Sequence, residues 1–298
     1  MSVSWNSIPR EDLKPFLAKS NWQGWYALAT NWGMVVAAFA LVMWHPSWYT
    51  VLPAMIVLGG RQLGLGILTH ECAHRTLFAA PALCEWVGNW LCGAPVFVDL
   101  AKYRSYHMTH HMNTGTDKDP DIGNYANYPV SKASLLRKFG RDLAGRSGVR
   151  TMLGLVKYYG LRSMWRSAVA NLVLLGLCWA AGHAWAYLLW PASWMTFFML
   201  FSRIRNAAEH AALAGTRSED MWANTRTVRA AWWERLTVAP NRVNFHFEHH
   251  LAPTVPAYRL PALHRWLVQQ GAYERATMEP NYWQVLRRMT QQAAQQPA

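Results

Sequence analysis

The chain has 298 residues, 52% of them hydrophobic, with 18 tryptophans and a formal net charge of +13 at pH 7. Charged residues nearly vanish from positions 22–68 and 167–202, so the positive balance points to an anionic membrane surface or an acidic partner protein, with no nucleic acid expected. Four cysteines, Cys72, Cys84, Cys92 and Cys178, form no C-x-x-C pair, which excludes a zinc ribbon and a cysteine-ligated iron–sulfur cluster and leaves buried reduced thiols.

At the N-terminus, MSVSWNSIPREDLKPFLAKS puts polar and acidic residues where a signal peptide has its apolar core, so the segment is expected to be retained. Residues 25–44 are apolar for long enough to cross a bilayer, since about 20 helical residues span a hydrocarbon layer of about 30 Å. HPSWYT turns the chain into a second span at 51–69. Residues 83–98 are apolar but interrupted by Glu85, Gly88, Asn89, Gly93 and Pro95, the pattern of a segment lying in the interface rather than a crossing. The next apolar window divides near Gly182 and His183 into spans at 168–181 and 184–202, the latter kinked at Pro191. The tail QQAAQQPA reads as disordered.

The turns at 45–50 and 182–183 contain no Lys or Arg, whereas 101–166 contains twelve. The positive-inside rule therefore assigns that region, and with it both termini, to the cytoplasm. The expected fold is an all-α integral membrane protein, one domain over 1–298. Four transmembrane helices form two hairpins, and cytoplasmic regions 70–166 and 203–298 form a helical cap that holds a metal centre.

Nine of the twelve histidines fall in four clusters: His70 and His74 in HECAH, His107, His110 and His111 in HMTHH, His210 in RNAAEH, and His246, His249 and His250 in HFEHH. Residues i, i+3 and i+4 share a helix face, so each triplet is expected to aim three imidazoles at one point. The predicted topology brings all four clusters to one side of the membrane. A catalytic zinc uses three protein ligands and a water, so nine candidates point to two metals. Asn206, four residues before His210, is a weaker ligand or a packing amide. His45, His183 and His264 read as surface or interfacial residues. HECAH also matches the H-E-x-x-H of metalloproteases, but an intramembrane protease needs a third ligand, commonly an aspartate in another span, and the first, third and fourth spans contain none.

HECAH, HMTHH and HFEHH, in that order, resemble the three histidine boxes of the membrane fatty-acid desaturase and hydroxylase superfamily. N-x-x-x-H at Asn206 and His210 is similar to the extra ligand pair of its acyl-CoA desaturases, and TGTDKDPDI and LAPTVPAYRLPALH are similar in style to bacterial and plant members. The resemblance covers about residues 63–267. It implies two iron ions held by His70, His74, His107, His110, His111, Asn206, His210, His246, His249 and His250, with O2 as co-substrate and a fatty acyl or other lipid-like substrate. Hydroxylation by the same centre is the alternative outcome. Iron fits because attack on an unactivated C–H bond needs a redox-active metal, which zinc is not.

Metal-bound imidazoles usually donate their outer N–H to a carboxylate or carbonyl. Glu71, Glu209, Glu248, Asp119 and Asp121 are the candidates, each glutamate expected to serve a cluster other than its own neighbour. Arg61, about 13 Å deeper than His70 by helical rise, is expected to pair with a buried acid, touch the substrate or snorkel along a cavity. Lys102, Arg104, Arg203, Arg205 and Arg242 are candidates for a head group or anionic lipid. With no haem, flavin or iron–sulfur motif in the chain, electrons must come from a separate carrier such as a ferredoxin, rubredoxin or cytochrome b5. The expected location is a bacterial inner membrane.

Overall fold

The computed structural model describes residues 8–291, so the expected tail disorder and the first seven residues of the N-terminal reading lie outside the described residues. The chain is predominantly helical, and four helices are long and apolar enough to cross a membrane: α1 (Asn21–Trp44), α2 (Trp48–Ala73), α7 (Leu161–Ala180) and α8 (Ala184–His210). Ser20 caps α1 by accepting from the Gln23 N–H, and Ser47 with Thr50 forms the reciprocal box that starts α2. His45–Pro46–Ser47 thus stops one span and starts the next within three residues. α1 packs along α2, and α2 also packs against the middle of α8.

Two expected boundaries move. α2 continues to Ala73 and α8 to His210, beyond the apolar windows that ended at 69 and 202. Backbone hydrogen bonding carries a helix past the point where its side chains turn polar. His70 and His210 accordingly stand on the last turns of spans, held by rigid helix rather than by the loops that follow.

Between the second and third spans, α3 (Pro81–Val87) leads through a π-turn at Gly88–Gly93 and a short 3-10 turn at Ala94–Val96. This interrupted stretch buries Cys84, Val87 and Cys92 and packs against α2 and α7. All four cysteines are free and buried. Pro191 sits between a 3-10 turn at Ala184–Leu188 and a π-turn at Trp194–Phe198, so the irregularity of α8 is spread over both sides of the proline.

The remaining elements frame the site. α4 (Leu100–Asn113) is capped by Asp99, whose carboxylate accepts from Lys102 N–H at 3.0 Å. α5 (Lys132–Leu143) and α6 (Arg146–Tyr159) are amphipathic and pack on the π-turn of α8. β1 (Arg226–Val228) pairs in parallel with β2 (Thr277–Glu279), drawing in the C-terminal part of the described chain. α9 (Trp232–Leu236), α10 (His246–Leu251), α11 (Leu260–Gln269) and α12 (Tyr282–Arg288) complete the helices used below.

Arg61 is 3% exposed and its partners are not acidic. Its Nη2 donates to the carbonyls of Arg235 and Leu236 at 2.8 and 2.9 Å, satisfying the end of α9, and Nη1 donates to Asn31 Oδ1 at 3.4 Å. Asn31 Nδ2 donates to Asn241 Oδ1 at 3.0 Å, and Asn241 Nδ2 to the Gly64 carbonyl at 2.8 Å. This chain of bonds ties the segment before the third histidine box to the first two spans. Close approach makes it fit: a Cβ at Gly60 would lie 2.0 Å from Leu236 O, and one at Gly64 would lie 2.1 Å from Asn31 Oδ1.

Candidate metal centre

The nine clustered histidines converge in two groups, in each of which the possible ligand atoms lie within 4.8 Å of one another. One group is His70, His74, His107, His111 and His249; the other is His110, His210, His246 and His250. The expectation that each triplet serves one point is therefore corrected. His107 and His111 go to the first group and His110 to the second; His246 and His250 go to the second and His249 to the first. Adjacent helical residues diverge by about 100°, so an H-x-x-H-H box straddles two centres instead of facing one.

Inside the first group, His70 Nε2 lies 3.0 Å from His249 Nε2, His74 Nε2 lies 2.9 Å from His107 Nε2, and His111 Nε2 lies 3.0 Å from both His107 and His249 Nε2. In the second, His246 and His210 Nε2 are 2.9 Å apart, and His250 Nε2 is buried with no hydrogen-bond partner among the described residues. Neutral imidazoles carry one N–H each, and several of these are already directed outward. Nitrogen lone pairs crowded at these distances, one of them orphaned, suit a cation between them. The residues fit a metal pair.

The outward contacts set the tautomers. His110 Nδ1 lies 2.8 Å from Asp119 Oδ1, His210 Nδ1 lies 2.9 Å from the Asn224 carbonyl, and His70 Nδ1 and His246 Nδ1 each lie 3.2 Å from a glutamate oxygen, of Glu71 and Glu209 respectively. A proton on Nδ1 leaves Nε2 bare toward the centre. Glu209 lies nearest a histidine of another cluster, though without a hydrogen bond to it, whereas Glu71 bonds its own neighbour. Its other oxygen accepts from Thr76 Oγ1 at 2.8 Å and Ala257 N–H at 2.9 Å, which swings the carboxylate across the end of α2. Asp121 Oδ2 is 3.9 Å from His110 Nδ1, and its Oδ1 accepts from Tyr106 at 2.9 Å. Glu248 touches none of the nine; it binds Thr227, Tyr273 and His264, whose Nδ1 is 2.5 Å away. His264 is thus part of a buried anchor under the third box, not a surface residue.

Electrostatics agree. Burial first, then the charge each neighbour would carry, holds His74, His107, His246, His249 and His250 below the ordinary imidazole range and pushes His111 down to about 3. The rings stay neutral, the form that ligates. Burial pushes Asp119 up, but hydrogen bonds from His110, Tyr125 and the Asp121 N–H outweigh it and keep the carboxylate ionised. Left-handed residues follow both histidine-bearing helices, Arg75 at φ 57° just after His74 and Ala212 at φ 53° two residues after His210. Such strained positions commonly cluster at functional sites.

A cavity of about 370 Å3 lies between α2, α4, α6 and α8 and reaches His107 of one group and His110, His210 and His246 of the other. Asn206 lines it next to His210, with Oδ1 accepting from Arg205 Nη1 at 2.8 Å. Of the basic candidates, Arg203 and Arg205 also line it. Lys102 is spent on the Tyr159 carbonyl, and Arg104 on the carbonyls of Cys72 and Ala73 and on Glu85.

Four candidate membrane helices with two imidazole groups at the ends of two of them define a membrane-associated metalloprotein class. The fatty acid desaturase family model matches residues 46–282, and the chain belongs to that family, an oxidoreductase of the desaturase type. It is 25% identical to dihydrorhizobitoxine desaturase of Bradyrhizobium elkanii over 80% of this chain and 74% of that protein. It is 29% identical to an sn-1 acyl-lipid omega-3 desaturase (ferredoxin) of Synechocystis, over 43% of this chain and 33% of that protein. It is 24% identical to a beta-carotene ketolase of Paracoccus, over 77% of this chain and 89% of that protein.

Proposed function

We propose that this protein is an O2-dependent di-iron desaturase that forms a C=C bond in a fatty acyl or related lipid-like chain. The observation that carries this reading is the pair of converging imidazole groups opening on one cavity. The five nitrogens of one group and the four of the other would hold two irons, with Asn206 beside the second. Iron bound there supplies the redox chemistry for activating O2 against an unactivated C–H bond. The overall change removes two hydrogens from adjacent methylenes and, with two external electrons and two protons, reduces O2 to two waters.

The chain's residues do the positioning. Asp119, Glu71 and the Asn224 carbonyl hold three rings in their ligating tautomer, and Glu209 lies beside a fourth, His246. Leu63, Ile67, Phe198 and Met199 form an apolar wall of the cavity against which the substrate would lie beside both groups. We place the protein in a bacterial inner membrane with two helical hairpins crossing it, the metal-bearing cap and both termini cytoplasmic, and residues 1–298 acting as one domain. The Lys- and Arg-rich face suits an acidic electron carrier of the ferredoxin, rubredoxin or cytochrome b5 kind, in keeping with the ferredoxin named for one relative.

The ketolase relative favours a second reading, in which the same centre oxygenates a C–H bond of an amphipathic substrate. Lipid and metabolite profiling of cells expressing the wild type, against His249→Ala, separates the two. A product lighter by two hydrogens supports desaturation, one heavier by oxygen supports oxygenation, and no difference between the strains sinks both.

A further inference from the structure

Four features of the cavity bear on what it admits. Its volume, about 370 Å3, is at the small end of the about 300–1,000 Å3 usual for ligand pockets. Polar groups are not gathered at a distant mouth: on α8, Arg205, Asn206 and Glu209 stand within two turns of His210 with Ser202 just beyond, and Tyr106 adjoins His107. A molecule in this space meets hydrogen-bonding side chains where it meets the imidazoles.

Four of the five charged side chains there are paired, and the fifth, Asp121, accepts from Tyr106 and Asn124. Arg205 Nε lies 2.6 Å from Glu209 Oε1, and Arg203 holds Asp142 through two contacts of 2.5 and 2.8 Å. Paired charges of this kind offer poor terms to a free phosphate, but they suit hydroxyl, amide or zwitterionic groups that can share both partners. Ser202 Oγ is buried with no hydrogen-bond partner among the described residues, so one polar atom here is still to be satisfied.

Gly66 supplies the fourth feature. Gly59, Gly60 and Gly64 on the same helix are needed for close packing, each Cβ meeting another atom at 2.6 Å or less. A Cβ at Gly66 would meet nothing within 4 Å. It lines the cavity one turn before His70. Glycine in a helix interior costs about 1 kcal/mol relative to alanine, and here no packing contact requires it. What it keeps open is space beside the imidazoles.

We infer that the substrate is a compact amphipathic molecule whose uncharged or zwitterionic polar group lies within a few bonds of the oxidised carbons, rather than a long-chain acyl lipid with a remote head group. This rests on the reading of the site as a di-iron C–H oxidase. A long acyl chain would lay methylenes against Ser202 Oγ and leave it without a partner.

The test uses iron-loaded, detergent-purified full-length protein with O2, ferredoxin and its reductase. It is offered the methyl ester of β-hydroxydecanoate and, separately, dioleoyl phosphatidylglycerol. The expected result is consumption of the hydroxy ester with an efficiency higher by about tenfold or more. Gly66→Leu should lose that activity, and Gly66→Ala should lose part of it, with iron content unchanged in both. Preference for the phospholipid overturns the inference and leaves the proposed function standing. If neither compound is oxidised, equilibrium dialysis of the labelled hydroxy ester decides. Saturable binding weakened about tenfold by Gly66→Leu supports the inference, and no saturable binding overturns it; the oxidase reading itself is decided separately by the comparison of wild type with His249→Ala.

Discussion

His110 Nδ1 lies 2.8 Å from Asp119 Oδ1, in a site where both side chains are almost fully buried. Tyr125 and the N–H groups of Gly115 and Asp121 also bond this carboxylate, so it is fixed before His110 meets it. Asp119→Ala should weaken metal binding by about 10–100-fold, read as iron retained per chain after dialysis against a graded chelator. Retention equal to wild type would show that His110 is oriented by packing alone.

The split of the triplets predicts an asymmetry between two neighbouring histidines. His110→Ala leaves three imidazoles in the second group, and His111→Ala leaves four in the first. The His110 variant should lose about half its iron under conditions where the His111 variant retains nearly all. Equal losses would mean that the two centres do not form independently.

Lowered imidazole pKa values make the metal-free protein sensitive to acid. Burial pushes His111 down to about 3 in the folded protein from about 6.5 in the unfolded chain, so the unfolded chain binds more protons between these values. Stability is fully present above about pH 6.5 and is lost as pH falls toward 3. His107, His249 and His250 shift in the same direction and steepen the loss. Thermal unfolding of the apo protein between pH 7.5 and 5 should show the decline; a flat profile would contradict the buried neutral cluster.

Two glycine substitutions should differ in sign. Gly60→Ala drives a methyl group into the Leu236 carbonyl and should cost about 1–3 kcal/mol. Gly33→Ala on α1 meets nothing within 4 Å and should be neutral or stabilising by up to about 1 kcal/mol. Detergent-solubilised unfolding midpoints of the pair would check whether α9 is seated on the second span.

The spans and the nine histidines were legible because apolar length and clustered imidazoles are local signals. The partners of Arg61 were not. Its two shortest bonds go to carbonyls of Arg235 and Leu236, 174 and 175 residues away, and a backbone oxygen has no letter in a sequence. The role of His264 was hidden for a related reason: it lies on α11, outside any box, and reaches Glu248 only because α11 packs on α10. The division of each triplet was available in principle, since 100° per residue separates His110 from His111. What sequence lacked was the position of a second centre to receive the odd ring.

α2 carries several of these functions on one rod. Gly60 and Arg61 seat α9, Gly64 receives Asn241, Gly66 borders the cavity, and His70 enters the first imidazole group. Each depends on facing its own direction, and the helix couples those directions rigidly. A single inserted or deleted residue between Gly60 and His70 would rotate everything beyond it by about 100°, disturbing the seat of α9, the cavity wall and the first imidazole group at once. The eleven positions from 60 to 70 are therefore the stretch where a change in length should be tolerated least.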